Sequence, residues 1–133
     1  MRNRWVDQTT FYDPEAKGGG NCAEACVASL FNIPLEDVPT FFDKTDPDPA
    51  YRYWRNLENF MFSRGYWLQR EDCEYVFEGT YMVSGPSARG CLHMVIYQNG
   101  ELLHDPHPSR KGVQKVTQTW LLIPLDPANF KRE

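Results

Sequence analysis

The sequence predicts an α+β fold in which N-terminal helices pack on a C-terminal antiparallel β-sheet. Helical patterns occupy the chain up to Gly65, and short β-rich segments separated by turn residues follow it. The 133 residues fit one domain, and a hydrophobic fraction of 41% is enough to form a core. We therefore expect a single domain spanning residues 1–133.

The N-terminal half begins with an extended arm over residues 5–12, followed by a loop that contains a glycine run. A first helix is predicted from about Cys22 to Phe31, where small residues permit close packing. Asn32 and the following Pro34 are typical of a helix end.

A short helical turn over residues 34–39 and a loop rich in Asp and Pro lead to a second helix over about residues 50–64. Gly65 is a suitable C-terminal cap for this helix. Its apolar residues form one stripe that we assign to the core: Tyr53, Trp54, Leu57, Phe60 and Met61. Strands are expected at 66–69, 80–84, 92–97, 101–104 and 117–123.

The charge pattern argues against two classes of partner. A net charge of −4 without a long Lys/Arg run is unfavourable for nucleic acid. No apolar run approaches the ~20 residues of a membrane span, and the N-terminus lacks the apolar segment of a signal peptide. We therefore expect a cytoplasmic protein that binds neither nucleic acid nor membrane, with its four cysteines as free thiols.

Cys22 is the candidate nucleophile, because it stands where the glycine run ends and a helix starts. The partial positive charge of a helix N-terminus stabilises a thiolate, so we expect the pKa of Cys22 to be lowered. Cys26, one turn later, is expected to be a packed small hydrophobe. Asn21 and the backbone N–H of Cys22 are candidate donors to an oxyanion, although Asn21 is equally suited to capping the helix.

The three histidines all lie within residues 92–107, around a predicted hairpin. With a two-residue turn at Asn99-Gly100, His93 would pair with Pro106, and Asp105 would point to the opposite face. With a three-residue loop and a left-handed Gly100, His93 would lie opposite Asp105 at ~5 Å between Cβ atoms. We predict the three-residue loop, because only that register brings the carboxylate to the imidazole.

Cys22, His93 and Asp105 then form a candidate triad for acyl transfer. The thiolate attacks a carbonyl, the imidazole moves the proton, and the carboxylate fixes the tautomer of the ring. The segment from His107 to Arg110 is expected to form a rigid loop beside this site, with His107 and Arg110 as candidates for binding the substrate. Arg110 would bind a carboxylate or phosphate, and a solvated Arg110 is the alternative.

At these residues the chain resembles the papain-like cysteine peptidase superfamily, and most closely its compact branch of bacteriocin double-glycine leader peptidases. The matching elements are Gln8, Cys22-Ala23-Glu24-Ala25-Cys26, His93 and Asp105-Pro106. The resemblance implies a papain-like fold, a peptide or protein substrate, no cofactor, and Gln8 as an oxyanion donor. The family's Gln usually lies about half a dozen residues before the Cys, whereas Gln8 lies fourteen before Cys22.

The chain is also similar to small phage and bacterial proteins with a His-Asp-Pro-His-Pro-Ser-Arg-x-Gly segment, here His104 to Gly112. A phage protein of this kind would work in the host cytoplasm. The leading hypothesis is a thiol hydrolase, and an acyl or amide transferase would use the same residues. One alternative is a catalytically inactive binding or inhibitor protein on the same fold. The other is a metal- or nucleotide-binding module, although zinc normally needs three or four protein ligands.

Overall fold

The computed structural model describes residues 5–12, 20–126 and 128, so most of the predicted loop that holds the glycine run lies outside the described residues. The described chain forms two α-helices, a short 3₁₀ helix and five strands. In order these are α1 (Cys22–Phe31), η1 (Leu35–Asp37), α2 (Pro49–Ser63), β1 (Tyr66–Glu71), β2 (Thr80–Pro86), β3 (Leu92–Gln98), β4 (Glu101–His104) and β5 (Gln118–Pro124). The predicted α+β class and order of elements are confirmed.

The helix ends follow local chemistry. Asn32 ends α1 in the left-handed conformation, with φ of 54°, and its N–H donates to carbonyls of the last turn. Asp48 caps α2 by accepting a hydrogen bond from the Tyr51 N–H, and Pro49 occupies the first turn, where its missing N–H costs nothing. Gly65 follows α2 with φ of +94°, as predicted for a capping glycine.

The five strands form one sheet in the order β1-β5-β2-β3-β4, and every neighbouring pair is antiparallel. Helix α1 packs against β3, and α2 packs against β1. The core between helices and sheet includes Leu57 and Met61 of α2, both fully buried, and Trp54 stacks on Trp120 with ring centroids 4.8 Å apart. This packing lays the start of α1 beside β3.

The β3–β4 hairpin differs from the prediction. Gln98 pairs with Glu101, so the turn has two residues, Asn99 and Gly100, both with positive φ. The three-residue loop is therefore wrong; two left-handed residues instead match the twist of the strands. A bulge follows, because Tyr97 pairs with Leu102 but Ile96 pairs with His104. The extra residue in β4 shifts the register by one, so Asp105 lies on the same face as His93, although not in the directly opposite position that was predicted.

None of the helices in the described residues is long and apolar enough to cross a membrane. All four cysteines are free thiols: Cys26 is buried, Cys73 is exposed, and Cys22 and Cys91 are half-buried. Cys26 is packed in the core with its Sγ 3.4 Å from the Met94 carbonyl oxygen, as expected of a small apolar side chain.

Candidate active site

Cys22 is the first residue of α1, and the N-terminal arm lies against the residues that precede it. A Cβ atom on Gly20 would lie 2.6 Å from the Thr10 carbonyl oxygen, so only glycine permits the arm to pass this closely. The Asn21 N–H donates to the same carbonyl over 3.2 Å. The glycine before the cysteine therefore makes room for the arm as well as freeing the chain.

The Asn21 side chain holds the arm in place. Its Oδ1 accepts hydrogen bonds from the N–H groups of Thr9 and Thr10, and its Nδ2 donates to Thr9 Oγ1 over 2.9 Å. It makes no side-chain capping bond to α1, so the capping alternative is wrong. The contacts assign Asn21 a positioning role, and its oxyanion role stays a prediction.

His93 and Asp105 form a buried pair. The distance between His93 Nε2 and Asp105 Oδ1 is 2.6 Å, and the two side chains are 3% and 0% exposed. Because an ionised carboxylate only accepts, Nε2–H donates and Nδ1 of the neutral ring is left as an acceptor. The predicted contact is thus present, although the bulge in β4 produces it rather than a three-residue loop.

Three donors hold the Asp105 carboxylate. Oδ1 accepts from His93 and from the His107 N–H over 2.9 Å, and Oδ2 accepts from the Gly112 N–H over 2.7 Å. Burial by itself would raise the pKa of Asp105, but these hydrogen bonds outweigh it and lower the pKa to about 2. The carboxylate is therefore ionised near neutral pH and fixes the orientation of the imidazole.

Cys22 and His93 line the same two cavities. The larger, about 540 Å³, has an apolar wall that includes Phe42, Tyr53 and Trp54. The smaller, about 290 Å³, includes the polar and charged side chains of Gln8, Arg89 and His107. The thiol and the imidazole thus face a cleft that is apolar on one side and polar on the other. Tyr53 and Trp54, assigned to the core from the sequence, also form the cleft wall.

The surroundings of the Cys22 side chain favour the neutral thiol. Burial raises its pKa to about 11, against a smaller opposite effect of the Met94 backbone, and the charge of Glu24 raises it further. The expected lowering of this pKa is therefore wrong, because desolvation outweighs the field of the helix N-terminus. Among the described residues, no hydrogen bond joins the Cys22 thiol to the His93 ring. Thiolate formation thus requires a closer approach of the two groups.

Gln8 reaches the cleft in spite of its long separation from Cys22 in sequence. It is buried, it lines the smaller cavity with Cys22 and His93, and its backbone N–H donates to the Pro106 carbonyl over 3.0 Å. Its Nε2 donates to the Thr10 carbonyl over 3.0 Å, while its buried Oε1 has no partner among the described residues. The predicted donor therefore borders the same cavity as Cys22, with its amide turned toward the arm.

Arg110 occupies a different place from the one predicted. Its two terminal nitrogens donate to the two carboxylate oxygens of Asp7 over 2.5 and 2.7 Å, and Nη1 also donates to the Asp105 carbonyl. Arg110 lines neither of the two cavities at Cys22. The prediction that it binds a substrate anion is therefore not supported: its donors tie the arm to the loop after β4.

His107 lies at the cleft, as predicted for the loop beside the site. Its ring is perpendicular to the His93 ring, with centroids 6.1 Å apart, and it also packs edge-on against Phe11. The Ser109 N–H donates to His107 Nδ1 over 3.0 Å, so the Nε2 position carries the proton of the neutral ring. Burial, followed by the nearby charge of Arg89, lowers the pKa of His107.

Arg89 and Cys91 are among the cleft residues that were missed from the sequence. Both line the smaller cavity, and Cys91 Sγ lies 3.3 Å from Ser87 Oγ in the turn that precedes β3. A signal was present: these residues stand four and two positions before His93, so the turn that carries them must lie beside the histidine. Neither residue matched a motif, so neither was singled out.

Over the described ranges, no group of three His, Cys, Asp or Glu side chains is arranged to hold a metal ion. Comparison of the chain with protein-family models, with curated proteins and with solved structures gave no match. The function of this chain is therefore inferred from the site itself.

Proposed function

We propose that this chain is a small papain-like thiol hydrolase, peptidase- or amidase-like, that cleaves an amide, isopeptide or thioester bond through an acyl-enzyme. The observation that carries the proposal is the buried 2.6 Å hydrogen bond between His93 and Asp105 at a cleft that also holds the Cys22 thiol. A buried, ionised carboxylate such as Asp105 keeps the imidazole of a general base in one tautomer.

The reaction follows from the positions of the atoms. His93 Nδ1 takes the proton from Cys22 Sγ, and the thiolate attacks the substrate carbonyl carbon. The bond from this carbon to its leaving group breaks, and the proton on Nδ1 goes to the leaving atom. In the second step Nδ1 takes a proton from water and the new C–O bond forms. The C–S bond then breaks, and the proton on Nδ1 passes to Sγ and restores the thiol. An amine in place of water would give a transferase.

Stabilisation of the oxyanion falls to the backbone N–H of Cys22 and to Gln8. Helix N-termini present unpaired N–H donors, and such donors contribute ~3 kcal/mol each when they point at the developing charge. The Gln8 amide would rotate from the Thr10 carbonyl toward the substrate oxygen, since Gln8 and Cys22 border one cavity. Asn21 would contribute mainly by holding the arm that carries Gln8.

A specific observation favours a second candidate, a catalytically inactive binding protein on the same scaffold. The pKa of Cys22 is raised to about 11, and the Gln8 amide is already bonded to Thr10. A site with a neutral thiol and an occupied oxyanion donor could serve to bind a peptide without cleaving it. The papain-like fold and the cytoplasmic location belong to both candidates.

Labelling with iodoacetamide separates the two. We expect Cys22 to be alkylated faster than the exposed Cys73, because His93 accepts the thiol proton as the reagent approaches. The enhancement should persist at mildly acidic pH and disappear in His93→Ala, while Cys73 serves as the reference thiol within the same chain. If Cys22 reacts no faster than Cys73 and His93→Ala changes nothing, the hydrolase proposal is wrong and the binding protein is favoured. Mass spectrometry of the alkylated peptides gives both rates.

A further inference from the structure

The smaller cavity at Cys22 contains a cation that no described carboxylate neutralises. Arg89 lines it, and its Nη1 donates to Ser109 Oγ over 3.3 Å, but Arg89 forms no ion pair with any described residue. The two carboxylates near this part of the molecule are already engaged. Asp105 accepts three hydrogen bonds, and Asp7 is held by both terminal nitrogens of Arg110.

His107 adds a donor to the same cavity. Because its Nδ1 accepts the Ser109 N–H, the neutral ring carries its proton on Nε2. Arg89 and His107 share Ser109 as a hydrogen-bonding partner, since the Ser109 Oγ accepts from Arg89 and also lies 3.0 Å from His107 Nδ1. The loop after β4 thus fixes both groups at one end of the cavity.

The charge of this end contrasts with the rest of the protein. The chain carries a net charge of −4, and the larger cavity at Cys22 is walled by aromatic side chains. At physiological ionic strength charges are screened beyond ~8 Å, so a group bound beside the sulfur responds to Arg89 rather than to the net charge. A guanidinium with free donors is the group best suited to a planar carboxylate.

We propose that Arg89, assisted by His107, binds a carboxylate of the substrate next to the bond that Cys22 attacks. The inference rests on the proposed hydrolase and names its substrate class: acyl compounds with an acidic group on the Arg89 side of the scissile bond. It also transfers to Arg89 the anion-binding role that the sequence suggested for Arg110. An acidic side chain and a chain-terminal carboxylate share this chemistry.

Two alkylating reagents that differ in charge test the subsite directly. Iodoacetate carries the carboxylate and iodoacetamide is its neutral counterpart, so the ratio of their rates at Cys22 cancels the fraction of thiolate. With Arg89 in place we expect this ratio to exceed that of N-acetylcysteine amide, a neutral reference thiol, by about fivefold, the size expected of one exposed ion pair. Arg89→Gln should bring the ratio to that of the reference thiol, and Arg89→Glu should bring it lower.

Lys111→Gln removes the same charge from a neighbouring exposed position outside the cavity, and should leave the ratio unchanged. An equal ratio in the wild-type chain and in Arg89→Gln would overturn the subsite, as would an equal loss in Lys111→Gln. The hydrolase proposal fails by a different result, namely slow alkylation by both reagents that does not depend on His93.

Peptide substrates distinguish the two sources of the carboxylate. Peptides with an acidic side chain or a terminal carboxylate beside the scissile bond should be cleaved faster by wild type than by Arg89→Gln. Loss of the preference for only one of them identifies the source.

Discussion

At the scale of single residues, Asp105 determines most of the geometry of the site. Its carboxylate accepts hydrogen bonds from His93, His107 and Gly112 while it is almost fully buried. Asparagine has nearly the same shape, but it offers one oxygen and one NH₂ group. In Asp105→Asn, the new NH₂ group therefore faces an N–H donor of the protein, and neither of the two donors has an acceptor there.

Asp105→Asn is expected to slow the His93-dependent alkylation of Cys22 by about 100-fold, the usual scale of general base catalysis. It should also lower the free energy of unfolding by ~2 kcal/mol, because a charge-assisted hydrogen bond is lost in a buried place. Iodoacetamide labelling and urea unfolding measure the two effects. Asp72→Asn, at an exposed carboxylate paired with Arg70, is the matched control and should change neither.

The same residue gives a dependence of stability on pH. The pKa of Asp105 is lowered from 3.8 to about 2 in the folded chain, so the folded state favours the carboxylate. Its contribution to stability is complete above the unfolded pKa and is lost as the pH falls from about 4 through 2. Asp105→Asn should therefore lose less stability than wild type between these two values. Equal slopes in the two proteins would show that Asp105 is not a source of the acid sensitivity.

Individual residues also show what the sequence could and could not predict. Cys22, His93 and Asp105 were selected as candidates because each has a local signal in the sequence. The signal is a helix start for Cys22, a strand for His93 and a hairpin for Asp105. The partner of Arg110 could not be predicted, since Asp7 is 103 residues away and no local pattern reveals such a pair. The pKa of Cys22 was expected in the wrong direction because burial, which dominates it, depends on packing from several elements.

At the scale of elements, the β3–β4 hairpin shows how a correct contact came from a wrong register. The turn has two residues, but the bulge at Leu103 moves every later residue of β4 by one position. A turn leaves clear marks in a sequence, such as Asn99-Gly100, and the C-terminal ends of both helices were predicted for the same reason. A bulge leaves none here, because it depends on how the strand continues across the sheet.

Deletion of Leu103 tests the role of the bulge. Without this residue, regular pairing from the two-residue turn still places His104 opposite Ile96, so Asp105 stays on the face of His93. We expect the deletion variant to keep the hydrogen bond between His93 and Asp105 and to label Cys22 as fast as wild type. Deletion of Leu102 together with Leu103 moves Asp105 by one position to the opposite face, and Cys22 should then label at the rate found in His93→Ala. Fast labelling in a double-deletion variant that is folded by circular dichroism would show that the register of β4 does not align the pair.

At the scale of the whole molecule, the N-terminal arm connects the helical and the sheet parts of the site. The Val6 N–H donates to Ser29 Oγ of α1, and the Val6 carbonyl accepts from His104 Nε2 of β4. Trp5 stacks on the His104 ring with centroids 5.2 Å apart. Gln8 belongs to the same arm. The position of this candidate oxyanion donor therefore depends on contacts with residues such as His104, which lies more than 90 residues further along the chain.

The ion pair between Asp7 and Arg110 is the exposed part of this connection, with the two side chains 42% and 50% exposed. An exposed pair contributes at most ~1 kcal/mol to global stability. Its larger effect should be local, because the arm opens without unfolding the sheet. We expect Arg110→Gln to leave the urea midpoint nearly unchanged and to speed amide hydrogen exchange at Gln8 by about fivefold, the size of such a pair.

Salt provides the independent check. At 1 M NaCl the screening length falls to ~3 Å, so wild-type exchange at Gln8 should approach that of Arg110→Gln, while the variant itself should respond little. Arg89→Gln changes the charge of the neighbouring loop without touching Asp7, and it is the matched control that should keep the wild-type rate. Equal exchange in wild type and Arg110→Gln at low salt would mean that packing of Trp5 and the backbone hydrogen bonds, rather than the ion pair, hold the arm over the cleft.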